Sequence, residues 1–322
     1  MNPLKAYTER IEAGLIALDF PVSPERLYDP IRYFLTIGGK RIRPMLTILS
    51  AELFGSTEAI VLPQALAIEV FHNFTLIHDD IMDAAPLRRN QQTVHAKWNQ
   101  DIAILSGDVL LIKGYQLLGK IQPQQLPAAF ELFNTTAVEV CEGQQMDMDF
   151  EERSDVSIDE YIEMIRLKTS VLLGCALELG AIVAEASEAD RKAIYKFGQH
   201  IGVAFQIQDD ILDLYADPEK FGKQVGGDVI SNKKTILYLT ALQKASPEQH
   251  ESLKQLYQED DLLLKVDRTR SLFDQMNVKS ECQNRMTEHY QIALTALESI
   301  SIDADRKTPL QKLASYLMLR DQ

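Results

Sequence analysis

Two stretches decide how this chain is read: Leu76-Ile77-His78-Asp79-Asp80-Ile81-Met82-Asp83 and Phe205-Gln206-Ile207-Gln208-Asp209-Asp210-Ile211-Leu212-Asp213. Both spell DDxxD, and each follows an apolar run rather than a polar loop. Residues four apart share a face of a helix, so Asp79 with Asp83, and Asp209 with Asp213, would project carboxylates in one direction. Like charges at that spacing repel, which costs stability unless a cation lies between them. Hard oxygen ligands select Mg²⁺, which keeps waters and bridges protein carboxylates to phosphates. A single DDxxD could equally decorate a solvated helix end. Two copies 130 residues apart, both embedded in apolar helix, point instead to two helices holding metal ions from opposite sides of one cavity.

Working outward, helical periodicity dominates. Glycine and proline cluster near residues 21–30, 38–39, 123–127 and 218–227, and long segments between them have few breakers. Residues 62–84, 127–152, 157–186, 190–216, 233–260 and 280–300 read as helices, some broken once. Ser157 followed by Glu160 has the spacing of a capping box. Alternating strand patterns are nearly absent, and no linker, low-complexity tract or repeat period divides the chain. The expected fold is all-α, one compact helical domain over residues 1–322.

Composition narrows the function classes. Apolar residues make up 46% and charged residues 25%, enough for a sizeable core. The net charge of -14 argues against a nucleic-acid binder or a protein held electrostatically on an anionic membrane. Three scattered cysteines, Cys141, Cys175 and Cys282, form no metal or disulfide framework. No apolar run approaches the roughly 18 residues that would span a bilayer. The expectation is a soluble cytoplasmic protein without a transmembrane segment.

An acidic body that handles phosphate needs local cations. Gly38-Gly39-Lys40-Arg41-Ile42-Arg43-Pro44 puts three cations after a flexible glycine pair, and Arg88-Arg89 follows five residues beyond Asp83. Lys168-Thr169 interrupts an otherwise apolar helix. Gly222-Lys223 and Lys233-Lys234 flank the glycine-rich Gly226-Gly227-Asp228. Arginine grips phosphate bidentately while lysine acts as a point charge. Each alone reads as a surface charge. Lys168 is the exception, because a cation within an apolar helix requires a partner.

GGKRIRP, LIHDDIMD followed by LRR, the KT pair, FQIQDDILD, and GKQVGGD followed by NKKT occur in the order found in trans-isoprenyl diphosphate synthases, the polyprenyl synthetase family, which the chain resembles over roughly residues 38–235. The resemblance implies a single-domain bundle of long antiparallel helices around a central cavity, working as a homodimeric, magnesium-dependent prenyltransferase that condenses isopentenyl diphosphate with an allylic diphosphate (dimethylallyl, geranyl or farnesyl) and releases diphosphate. By motif position, Asp79, Asp83 and Asp209 look like Mg²⁺ ligands, with Asp80, Asp147, Asp210 and Asp213 in support. Arg88, Lys168, Lys223 and Lys233 look like the grip on the allylic diphosphate. Thr169 and Gln206, with Lys168, would steady the allylic cation. Lys40, Arg43, His72 and Arg89 resemble the isopentenyl diphosphate site; on spacing alone, His72 would more often be a packed histidine.

Product length should depend on how far the growing tail can slide along the wall that carries the first acidic cluster. Phe74 lies five residues before Asp79, and Phe71 lies eight before it. An aromatic at the fifth position resembles short-chain synthases that make geranylgeranyl diphosphate, with farnesyl diphosphate as the alternative; the plainer reading makes both rings core. A class I terpene cyclase also ionises allylic diphosphates at a DDxxD, but such enzymes usually lack the second copy and GGKRxRP.

Overall fold

The computed structural model describes residues 3–216 and 225–319. In chain order the helices are α1 (Pro3–Ile16), α2 (Glu25–Thr36), α3 (Ile42–Leu53), α4 (Glu58–Met82), α5 (Val94–Lys97), α6 (Gln100–Leu118), α7 (Leu126–Glu152), α8 (Ile158–Ile165), α9 (Val171–Val183), α10 (Glu188–Tyr215), α11 (Gly227–Ile230), α12 (Ile236–Lys244), α13 (Pro247–Tyr257), α14 (Leu262–Gln275), α15 (Val278–Glu298) and α16 (Ala304–Leu319). Among the described residues the one sheet is a ribbon of two short antiparallel strands, β1 (Leu87–Arg88) and β2 (Gln91–Gln92). The architecture is all-α.

The described residues form two compact units, residues 1–133 with 176–191 and residues 134–175 with 192–322. In the first unit α4 packs against α3 and α6. Its buried face carries Val61, Ala65, Ile68, Phe71 and Ile77 at helical spacing. By length and composition α4 is apolar enough to cross a bilayer, contrary to the expectation that no segment would be. Most of that apolar window is buried within the protein, as in a core helix.

The second unit has its own core, in which Ile207 and Ile211 of α10 meet Tyr161, Ile165, Leu237 and Phe273. Two of the expected helices are interrupted. The 233–260 segment breaks at Ala245-Ser246, where Ser246 caps α13 reciprocally with Gln249 and Pro247 occupies the first turn. The 157–186 segment begins at the predicted capping box, in which Ser157 and Glu160 bond one another's backbone. It is then divided by a π-helical turn, Arg166–Ser170.

Candidate active site

In the first unit the acidic motif closes α4. The Asp83 amide donates to the Asp79 carbonyl at 2.8 Å, so the last helical bond holds these two residues one turn apart on one face. Asp83 is exposed and Asp79 half-buried. Asp80 differs, being only 1% exposed and gripped by Arg88, whose Nε and Nη2 stand 2.8 Å from its Oδ1. Burial pushes the Asp80 carboxyl up and Arg88 opposes that shift. Asp80 therefore anchors Arg88, and the β1–β2 hairpin with it, instead of facing solvent beside Asp79. The hairpin turns at Arg89 and Asn90, both at positive φ (52° and 61°), the conformation of a type I′ turn.

The glycine pair serves Arg89. Gly39 has φ +150°, and a Cβ there would lie 2.6 Å from Arg89 Nη1. Arg89 donates to the Gly38 carbonyl through the space that glycine leaves open. Of the three cations that follow, Lys40 is exposed, whereas Arg41 is 4% exposed and bound to Glu69 at 2.6 Å and to the Leu35 carbonyl at 3.0 Å. Arg41 is thus a buried strut and not part of a phosphate grip. Arg43 Nη1 lies 3.1 Å from His72 Nε2. Burial and the neighbouring arginines hold His72 neutral, so its ring nitrogen accepts from the guanidinium and orients it. Burial pushes Arg43 down to about 10, and its Nε is buried with no hydrogen-bond partner among the described residues. Such a donor favours an incoming anion.

Behind Asp79 the aromatic rings form a ladder. Phe74 packs on His78 at 4.7 Å and on Phe71 at 5.6 Å, and Phe71 meets Phe133 at 5.1 Å. Phe71 is core, 2% exposed, while Phe74 stays half-buried at the surface of the unit.

In the second unit Lys168 sits within the π-turn, a rare irregularity common at functional sites. Its ammonium lies 2.6 Å from Asp147 of α7. Two glycines allow this fit. A Cβ at Gly143 would fall 2.2 Å from the Lys168 amide nitrogen, and one at Gly202 would fall 2.7 Å from the Ser170 Cα. Thr169 donates a long bond, 3.4 Å, to Gln206.

The second acidic motif repeats the pattern of the first. Asp209 and Asp213 are half-buried, while Asp210 is 5% exposed and accepts from the Tyr161 hydroxyl at 2.5 Å and the Ile236 amide at 3.3 Å. Burial, with repulsion from Asp228, pushes Asp210 up to about 7. In each DDxxD the second aspartate is a buried anchor and the outer two share the remaining face.

Asp213 also clips the glycine-rich loop. Its backbone carbonyl accepts from Gly226 at 2.6 Å and its carboxylate from the Asp228 amide at 3.0 Å. Gly226 has φ +82°, and a Cβ there would strike Val266. The sequence alone gives Asp228 no role beyond its place in the glycine-rich stretch. Burial pushes it to about 6, with Lys233 opposing and Asp213 and Asp147 adding to the rise, so these groups share one electrostatic neighbourhood. Lys234 caps α7, donating to the Phe150 and Glu151 carbonyls at 2.6 and 3.0 Å. Lys223 lies outside the described residues.

Among the described residues, no three carboxylate, histidine or cysteine side chains converge closely enough to hold a metal ion unaided. All-oxygen pairs of aspartates suit Mg²⁺, which draws much of its coordination from waters and phosphates.

The polyprenyl synthetase family model matches residues 24–276. The chain belongs to that family. Its members are prenyltransferases, and this chain is a transferase of that class. It is 42% identical over 246 residues to a geranylgeranyl diphosphate synthase of Methanosarcina mazei, covering 76% of each chain. To a geranylfarnesyl diphosphate synthase of Natronomonas pharaonis it is 43% identical over 237 residues, covering 68% of this chain and 69% of that one. A crystal structure of a geranylgeranyl pyrophosphate synthase matches the whole of both chains with a TM-score of 0.94 and 43% identity. Relatives of nearly equal identity thus bear names with different product lengths, and overall similarity does not decide this family member's product.

Proposed function

We propose that this prenyltransferase is a magnesium-dependent geranylgeranyl diphosphate synthase, working as a single-domain subunit of a cytoplasmic homodimer. The observation that carries the reading is the repeated construction of DDxxD, a buried, anchored second aspartate between two outer aspartates that lie one helical turn apart on one face. Exposed Leu105 and Ile112, seven residues apart on α6, supply an apolar stripe suited to a partner subunit.

Asp79, Asp83 and Asp209, supported by Asp213, would hold Mg²⁺, which when bound neutralises charge on the leaving diphosphate. Lys233 and Lys168 add fixed positive charge for the allylic diphosphate, with Asp147 keeping Lys168 in place and Asp80 doing the same for Arg88. Lys40, Arg43 and Arg89 receive isopentenyl diphosphate, with His72 steadying Arg43. The allylic C–O bond breaks and diphosphate leaves with the electron pair. The isopentenyl double bond then attacks the allylic cation, and the surplus proton passes to the released diphosphate. Thr169, Gln206 and the Lys168 carbonyl face the passing positive charge as dipoles that need no reorganisation. Phe74 limits how far the tail can extend.

Asp79→Ala and Asp209→Ala should each lower turnover by about 10³-fold or more while leaving the melting temperature near that of the parent. Near-native elongation of labelled primer by either variant, or by the parent in excess chelator, would remove the metal reading.

A further inference from the structure

Arg41 lies between Lys40 and Arg43 in the chain, yet its side chain turns inward. Its guanidinium and the Glu69 carboxylate are 1% and 4% exposed and stand 2.6 Å apart. A second donor of Arg41 reaches the Leu35 carbonyl at 3.0 Å, so this one residue ties α2 to α4. Its backbone has φ +50°, a costly left-handed conformation for a residue that carries a side chain. It is also the N-cap of α3, its carbonyl accepting from the Met45 amide at 3.2 Å. The buried ion pair therefore anchors a strained turn at the point where α3 begins.

Three residues of α4 serve this segment from one face, since positions three and four apart are neighbours on a helix. Glu69 takes Arg41, and His72 takes Arg43 at 3.1 Å. Asn73 donates to the Glu69 carbonyl at 2.6 Å and lies 3.4 Å from its carboxylate. The charges follow the same plan. Burial lowers Arg43 and Arg89, neighbouring arginines lower them further, and Glu69 opposes the drop at both. Asp80 also opposes it at Arg89, but that carboxylate is bound to Arg88. Glu69 is thus a fixed counter-anion beneath cations that repel one another. A buried ion pair adds little net stability over an apolar pair, so its placement of neighbouring groups matters more here than its energy.

We propose that Glu69, acting through Arg41, is a positioning residue of the isopentenyl diphosphate site. It fixes the turn from which Lys40 and Arg43 project, and it holds the arginine cluster together before the diphosphate arrives. Geometry set in advance lowers the cost of binding, so the effect falls on isopentenyl diphosphate and not on ionisation of the allylic partner. The inference rests on the assignment of Lys40, Arg43 and Arg89 to isopentenyl diphosphate.

Steady-state kinetics on the full chain, varying isopentenyl diphosphate and geranyl diphosphate in turn, tests it. Glu69→Gln keeps the shape and removes the charge; it should raise KM for isopentenyl diphosphate about tenfold or more and leave KM for geranyl diphosphate within about twofold. A second variant combines Arg41→Met with Glu69→Met, replacing the ion pair by an apolar one. It should melt near the parent and still show the raised isopentenyl KM, which a merely structural pair would not produce. An unchanged isopentenyl KM in Glu69→Gln, an equal rise for both substrates, or a double variant that recovers both melting temperature and KM would each overturn the proposal. Arg43→Ala is the control for the site itself. If it raises the isopentenyl KM while Glu69→Gln does not, the positioning role alone falls. If it acts only on geranyl diphosphate, the site assignment falls and the positioning role with it.

Discussion

The Lys168 ammonium lies 2.6 Å from the Asp147 carboxylate, joining a π-turn to a helix 21 residues earlier in the chain. The pair is half-buried, so it resists screening better than a surface ion pair. Neither residue holds its place without the other. Lys168→Ala and Asp147→Ala are each expected to lower kcat by about 10²-fold, the scale for losing one preorganised electrostatic partner. The double variant should lose little more, because coupled residues are not additive. Steady-state kinetics on all three variants check this; additive losses would show two independent roles.

Phe74 and Phe71 should separate cleanly. Phe74→Ala opens the wall at a half-buried ring and is expected to lengthen the product at modest cost to stability. Phe71→Ala removes a ring locked against Phe133 and should cost about 3–5 kcal/mol. Chromatographic sizing of the extracted products, with urea unfolding of both variants, gives the two readouts. Unchanged chain length in Phe74→Ala would clear that ring of the limiting role.

Glycines at close approach predict opposite signs. Gly202→Ala drives a methyl to 2.7 Å from the Ser170 backbone, and should destabilise by about 1–3 kcal/mol while disturbing Lys168 and Thr169. Gly114→Ala on α6 meets nothing nearer than 3.5 Å, and should stabilise by about 0.5–1 kcal/mol through backbone entropy. Thermal melting of the two variants provides the comparison.

His200 of α10 and His289 of α15 stand 3.0 Å apart, Nδ1 to Nδ1, so one ring must donate and the other accept. Burial and the neighbouring ring push His200 down to about 4, and burial chiefly lowers His289. An unfolded histidine titrates near 6.5. Between about 6.5 and 4 the unfolded chain therefore binds more protons than the folded one. The contribution of the pair is complete above about pH 6.5 and is lost as the pH falls toward the folded value. Both rings are partly exposed, so solvent screening limits its size. Melting temperature should fall between pH 8 and pH 5, and His289→Gln should flatten part of that slope.

The helices were readable because breakers are sparse and apolar residues recur at helical spacing; the Ser157–Glu160 cap behaves as its spacing implied. The same-face relation of Asp79 and Asp83 also follows from spacing alone. The division of labour within each DDxxD was not readable, because it depends on partners elsewhere in the chain. Asp80 is claimed by Arg88, eight residues on, and Asp210 by Tyr161, 49 residues back. Arg41 read as one of three phosphate cations, since nothing local distinguishes it from Lys40 and Arg43; only Glu69, 28 residues away, makes it a buried strut. The hairpin at residues 87–92 is not legible in the sequence because its turn uses Arg89 and Asn90 at positive φ, with none of the glycine that usually marks such a turn. Nothing local marks Asp228 among its glycines, because its burial depends on tertiary contacts.

The π-turn also has a consequence for reckoning along the chain. A π-turn accommodates one more residue than an α-turn, which rotates everything after it by about 100° about the helix axis. Residues before Arg166 and after Ser170 thus obey two different phase settings, and a helical wheel drawn through both assigns the wrong inward face to one of them. Excising a single residue within 166–170 would restore a continuous α-helix, and it would also swing the lysine away from its aspartate. The irregularity behaves as an inserted letter in a frame, and homologues without it should differ in length by one residue at this point.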